Sequence, residues 1–369
     1  MVKSIYIHIP FCNHICSYCD FSKLFYNEEL VNKYLDCLEN EIKLRYKGEL
    51  INTIYIGGGT PSSLNIDQLN KLFSIISKFN LSSDVEFTFE ANFDSINEEK
   101  LLLLKKYKVN RLSFGIETFN KKFLKDLNRF EDYDIIYSKI KLAKSLGFNN
   151  INVDLMYGFN NQTINDLKED LDKIISLNIN HISTYSLIIE KNTELYINKY
   201  NRIDDDLDND MYYYIIDYLS KFGFNHYEIS NFSKDNYYSK HNLTYWNNLE
   251  YYGFGLSAAS YINNVRINNT RSITQYLKNN YKFEEEIVSN DDKMTYEMIL
   301  GLRKIEGVNK KEFKNKFGVK IEDKFDIIDL INKKLLIDKD GYIYIPKDKL
   351  YVSNMILLNF IGGKNGKDR

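Results

Sequence analysis

The chain has 369 residues, with 49 Lys and Arg against 51 Asp and Glu, a net charge of −2. That length suits one large α/β domain with an appendage, or two domains. So balanced a charge excludes a whole-protein field that would recruit nucleic acid or an anionic membrane. No apolar run approaches the ~20 residues of a membrane span, and no basic-then-apolar leader precedes the first strand. Four cysteines in so long a chain are not a disulfide framework. The expectation is a cytoplasmic protein with free thiols. Tyr, Phe, Asn, Lys and Ile are heavily used, so their runs carry no functional weight. With 3 Pro and 1 Trp, a proline or tryptophan at a motif position means more than usual.

Strand-like and helical segments alternate. Strands are expected at 4–9, 53–57, 85–91, 111–116, 150–155 and 181–188. Between them lie helices at 27–46, 66–79, 97–107, 120–127, 132–146 and 164–177. Such alternation predicts right-handed βαβ units and a parallel sheet. Cys12, the Gly57-Gly58-Gly59 run, Glu90, Glu117 and Asp154 each fall at or just past the C-terminal end of a different strand. Loops converging from many strand ends favour a barrel over an open sheet. The expected fold is therefore α/β, a partial (β/α)6 TIM-like barrel.

Downstream, 200–210 reads as an acidic solvated loop, 211–222 as a helix and 224–229 as a further strand. Short helices follow at 293–302, 310–317 and 323–334, then a hairpin over 335–346 turning at Asp340-Gly341. That is a small C-terminal α+β appendage of winged-helix type, with no basic stripe to mark it as DNA-binding. The expected division is a core barrel over 1–200, an extension over 201–290 and a C-terminal domain over 291–369.

Cys12, Cys16 and Cys19 lie within eight residues, directly after the first strand. Three thiolates there can hold a metal or an iron–sulfur cluster; they can form one disulfide at most. A [4Fe–4S] cluster normally takes four thiolates, so three leave one iron open. The amino and carboxylate groups of S-adenosylmethionine can chelate such an iron, and one electron then cleaves the S–C5′ bond. Two rival readings stand beside it. Cys16 and Cys19 alone could be a redox pair, and the trio with His8 or His14 could close a Cys3His zinc site. Cys37, inside the first helix beside Leu30, Tyr34 and Leu38, reads as a core thiol.

Tyr6, His8, Pro10-Phe11-Cys12, Cys16, Tyr18-Cys19 and Phe21, at their spacing, resemble the oxygen-independent coproporphyrinogen III oxidase-like family of the radical SAM superfamily. The resemblance spans nearly the whole chain. It implies that Cys12, Cys16 and Cys19 ligate a [4Fe–4S] cluster, and that Tyr18 and Tyr6 contact S-adenosylmethionine. Gly57, Gly58 and Gly59 match the glycine motif that meets the methionine amino group, though a glycine run can also be only a turn. Glu90 matches a carboxylate that contacts S-adenosylmethionine; a helix cap or salt bridge is the plainer reading. Glu117, Arg129 and Asp154 match the residues around the ribose, whose diol needs acceptors. The family usually has glutamine at Glu117, so a donor is lost there. Asn160 and Phe93 stand where proline is usual.

Within the family, true oxidases carry a further cysteine where this chain has Phe21, and a longer N-terminal segment. Both departures resemble the HemW, or heme-chaperone, branch. Ser239, His241-Asn242 and Tyr245-Trp246 resemble that branch's HNxxYW signature. His241 is thereby a candidate axial heme ligand, with Asn242 beside it and Tyr245 and Trp246 as stacking partners. The plainer reading of a lone histidine is one hydrogen-bonded in place. Ala259 stands where histidine is common. The resemblance implies binding of the cluster, S-adenosylmethionine and heme, transfer of heme to acceptor proteins, and an electron donor such as a flavodoxin or ferredoxin. The alternative is oxidative decarboxylation of coproporphyrinogen III propionates. A degenerate scaffold with a structural metal is a third reading.

Overall fold

A computed structural model describes residues 2–235 and 237–361. Nine strands form the central sheet: β1 Ser4–Ile9, β2 Leu50–Gly58, β3 Asn80–Ala91, β4 Arg111–Glu117, β5 Asn150–Tyr157, β6 His181–Ser186, β7 Asn225–Glu228, β8 Asn231–Ser233 and β9 Tyr252–Phe254. Strands β1 to β6 lie side by side in chain order, all parallel. Strand β9 joins the outer edge of β1 in parallel, and the antiparallel pair β8 and β7 extends β6. Among the described residues no ladder joins β7 to β9. The sheet is the expected partial barrel.

Alternation along the strands sets the two faces. Ile5, Ile7 and Ile9, then Ile54 and Ile56, Phe87 and Phe89, Leu112 and Phe114, and Val153 and Leu155 are all buried, in one contiguous core. The intervening positions are polar. Tyr6 pairs with Tyr55; Thr88 pairs with Arg111, which pairs with Asn150; and Ser113 pairs with Asn152, which pairs with His181. The apolar stripe meets helices such as α1 Glu28–Arg45, α2 Ile66–Ile76 and α3 Ile164–Ser176, whose first turns are capped by Asn27, Asn65 and Thr163. Apolar residues thus glue helices to sheet, and polar residues line the space the sheet encloses.

That space is stoppered at the N-terminal ends of the strands. A short helix, α4 Lys240–Trp246, starts at the cap Ser239, and Glu86, midway along β3, accepts the backbone N–H groups of Lys240 and His241 at 3.0 and 2.9 Å. Thr244 meets Ser4 on β1 at 2.8 Å. His241 places Nδ1 2.9 Å from Thr53 Oγ1 on β2.

Three stretches depart from the sequence reading. The acidic run is the start of a helix, Asp205–Lys221, capped by Asp204, with Asp205, Asp206 and Asp208 in its first turn. Carboxylates are favoured there by the helix dipole, which is why polarity misread it as loop. The helix expected over 323–334 is two, Ile321–Lys324 and Ile327–Asn332, because Phe325 takes an extended backbone between them and is buried. Residues 259–287 hold an unanticipated antiparallel sheet of Ala259–Ile262, Val265–Asn269 and Lys282–Ile287. The hairpin Ile337–Lys339 and Tyr342–Tyr344 turns at Asp340 and Gly341, both at positive φ, as expected. The C-terminal part meets the barrel through Ile229 N–H to Arg303 O and Ile305 N–H to Tyr227 O.

Candidate functional site

Strand β1 delivers the chain through Pro10 to a two-residue strand, Phe11–Cys12, which pairs in parallel with Leu24–Phe25. Between them runs the cysteine loop, tied by Tyr26 N–H to Cys12 O at 2.9 Å and Ser17 N–H to Leu127 O at 3.1 Å. Cys12, Cys16 and Cys19 are free thiols and all face one cavity of about 430 Å³. Thr60 Oγ1 lies 3.5 Å from Cys12 Sγ, and Arg129 Nη1 3.7 Å from Cys16 Sγ.

The donor set fits an iron–sulfur cluster. Burial pushes all three thiols up, Cys12 to about 11, and each negative neighbour adds to the effect. Thiolates in such a place need a bound cation, which is what cluster iron supplies. The backbone opposite has no room for side chains. A Cβ on Gly59 would lie 2.9 Å from Cys12 Sγ, and one on Gly58, at φ +117°, 2.6 Å from the His8 ring. Among the described residues no three His, Cys, Asp or Glu side chains are grouped around a single ion; the thiols border the cavity instead.

Deeper in, three carboxyl groups converge, Glu117 buried and Glu90 and Asp154 half-buried. Glu90 accepts from Tyr55 Oη at 2.6 Å and from Gly58 N–H at 3.1 Å, and burial raises its pKa to about 7. Glu117 sits on a bulge of β4 opposite β5, at φ +64°, a region few non-glycine residues occupy. The bulge turns its carboxylate toward Arg129 Nη1, 3.1 Å away, and it accepts from Tyr18 Oη at 2.9 Å. Burial raises Glu117 to about 7 as well. Arg129 also donates to Gly115 O at 2.8 Å and Glu131 at 3.1 Å. Asp154 accepts from Asn152 Nδ2 at 2.9 Å, and burial raises its pKa too.

Cys12, Cys16, Cys19, Tyr18, Gly58, Gly59, Glu90, Glu117, Arg129, Asp154 and Asn242 all line this cavity. Tyr6 and Gly57 are not among its lining residues: the Tyr6 hydroxyl is 2.9 Å from His8 Nδ1, and a Cβ on Gly57 would strike the Glu90 carboxyl group. His241 is buried in the stopper helix with both ring nitrogens engaged, Nδ1 by Thr53 and Nε2 by Tyr245 Oη at 2.8 Å. Burial drives its pKa down to about 3. In this arrangement it has no nitrogen free for iron, and the plainer reading of the histidine describes its geometry. Tyr245 packs edge-on against Tyr251, and Trp246 lies under the Arg303 guanidinium, 5.5 Å from its ring. Ala259 opens the separate antiparallel sheet and is not a lining residue.

Sequence reasoning missed Tyr55 and the polar chain inside the barrel. In that chain Asn152 bonds Ser113, Asp154 and His181, and His181 reaches Tyr227 at 2.8 Å. It also gave no role to Arg111, which is 1% exposed and lines the same cavity. Polar residues at alternate positions of strands otherwise apolar were the available signal.

Residues 6–174 match the Radical SAM superfamily, and residues 288–347 match the HemN C-terminal domain. The heme chaperone HemW of Lactococcus lactis is 38% identical, over 97% of this chain and 97% of its own. The heme chaperone HemW of Bacillus subtilis is also 38% identical, over 98% of this chain and all of its own. Among solved structures, coproporphyrinogen III oxidase (HemN) from Escherichia coli, a radical SAM enzyme, superimposes with a TM-score of 0.87. It covers 97% of this chain and 90% of the oxidase at 22% identity, a likeness of fold. Relatives this similar along their whole length, on a barrel that gathers three free thiols at one mouth, show that the chain belongs to the HemW branch of the radical SAM superfamily.

Proposed function

We propose that this chain is a heme chaperone that carries a [4Fe–4S] cluster and S-adenosylmethionine and hands heme to acceptor proteins. The observation that carries the reading is full-length similarity to two named heme chaperones, in a chain whose three loop cysteines share a cavity with a carboxylate-rich wall. Phe21 supports it: it is 63% exposed at the cavity mouth and offers no fourth thiol.

Cys12, Cys16 and Cys19 would hold three irons and leave the fourth to S-adenosylmethionine. When bound, the cluster supplies the electron that cleaves S-adenosylmethionine. Gly58 and Gly59 admit the methionine end beside Cys12. Glu117 and Asp154 offer acceptors to the ribose hydroxyls, and the Tyr18 ring lies at the adenine end. Arg129 keeps Glu117 oriented and balances its charge. As part of the same proposal, a flavodoxin or ferredoxin donates the electron, the protein works in the cytoplasm, and the chain divides near residues 200 and 290. In line with that compartment, the four cysteines are free, and no helix among the described residues is long and apolar enough to cross a membrane.

Anaerobic reconstitution tests the proposal. Iron and sulfide should load together, heme should give a shifted Soret band, and coproporphyrinogen III with S-adenosylmethionine should yield no protoporphyrinogen. Protoporphyrinogen formation would favour the oxidase reading, and zinc without sulfide the structural-metal reading.

A further inference from the structure

We infer that His14 is the axial ligand through which the chain takes heme iron, with the porphyrin seated across the mouth of the cofactor cavity. This rests on the heme-chaperone reading and specifies its heme site. The chain has 5 histidines, and four are committed. His8 lies between Tyr6 Oη and Ser22 O, both at 2.9 Å. His181 lies between Asn152 and Tyr227, at 2.6 and 2.8 Å, and His241 between Thr53 and Tyr245. His226 bonds Ile229 O at 3.3 Å and stacks on Phe232, centroid to centroid 4.4 Å. His14 alone is exposed, and among the described residues it makes no hydrogen bond, ion pair or ring contact. An unencumbered imidazole is what a heme iron requires of a protein.

The surroundings of His14 suit the rest of the ligand. It lines the cavity mouth together with Phe21 and Ile188, each 63% exposed. Phe25, on the short strand that pairs with Phe11–Cys12, is 66% exposed. Phe21 and Ile188, large apolar side chains in solvent at an opening, suit a ligand-binding surface, and a porphyrin is a flat apolar body of the kind such a surface takes. Lys23 also lines the mouth, beside the carboxylates of Asp20 and Glu190; its ammonium donates to Cys19 O and has further N–H groups with which to meet a propionate. Binding forms one dative Fe–N bond and needs no oxidant or reductant. Because His14 lies between Cys12 and Cys16, the cluster that orders the loop also orders the heme ligand.

The test is hemin titration of the cluster-reconstituted full chain, wild type against His14→Ala and His14→Met. His14→Ala should weaken heme binding by about tenfold or more and abolish the low-spin, nitrogen-ligated Soret signature. Iron, sulfide and S-adenosylmethionine binding should stay unchanged, and added imidazole should restore the spectrum. His14→Met, which offers a thioether, should shift the spectrum without abolishing binding. If wild type binds heme and His14→Ala binds it with the same affinity and spectrum, the inference is wrong and the chaperone reading survives. If wild type takes up no heme, both fall.

Discussion

Replacing Glu117 with glutamine isolates the electrostatics of the cavity wall. The amide keeps an oxygen for Tyr18 and Arg129 to donate to, at the 2.9 and 3.1 Å now seen; it removes the ionisation and adds an N–H donor. Burial raises the Glu117 pKa from 4.5 to about 7, so the folded chain holds that proton more tightly than the unfolded one. The stability this contributes is complete below pH 4.5 and is lost as pH rises through 7. A shift of that size corresponds to about 3 kcal/mol. The magnitude already includes Arg129, whose attraction is outweighed by desolvation. Equilibrium urea unfolding of the cluster-free chain under reductant, from pH 5 to pH 8, is the assay. Glu90 and Glu228, also raised to about 7 by burial, titrate in both proteins and cancel in the difference. The gap between Glu117→Gln and wild type should move in the variant's favour by ~2–3 kcal/mol across that range. A flat difference would refute the reasoning, because it would mean that Arg129 keeps Glu117 ionised throughout.

Cys12→Ser should lose most cluster iron on reconstitution while far-ultraviolet circular dichroism keeps the wild-type helix signal. Gly59→Ala drives a methyl group toward Cys12 Sγ, 2.9 Å from where its carbon would sit. It should lower iron per chain on reconstitution, with unfolding midpoints showing how much of the loss is local. His241→Phe strips partners from Thr53 and Tyr245 inside the barrel, at a cost of ~1–3 kcal/mol for each stranded polar group. Urea unfolding should register that loss, and the heme spectrum of the reconstituted variant should match wild type.

Residues at the C-terminal ends of strands were legible before any coordinates. Cys12, Glu90 and Glu117 could be put on one rim because strand–helix alternation implies parallel strands, whose C-terminal ends share one edge; Asp154 proved to lie within its strand, three residues before the end. What one side chain does to another was not legible. Glu117 faces Arg129 through a bulge with φ +64°, and no spacing in the sequence announces that extra residue. The acidic stretch around Asp205 was misread because polarity describes both a loop and a dipole-favoured first turn. His241 was the instructive case. Its motif is local, but its role depends on Thr53, 188 positions away, and only the docking of one short helix brings the two together.

That docked helix bears on how the cavity can be reached. With Glu86, Ser4 and Thr53 fastened to it from three strands, the helix covers the N-terminal end of the barrel, while the cofactor cavity is bordered at its other end by the cysteine loop. An occupant of the cavity would be blocked at the helix end and would exchange past the cysteine loop. Whatever sits on the threshold is last in and first out, so a cargo molecule there would lock the inner occupant in place until it was handed on. Release of cargo and renewal of the contents would then be successive stages of one cycle.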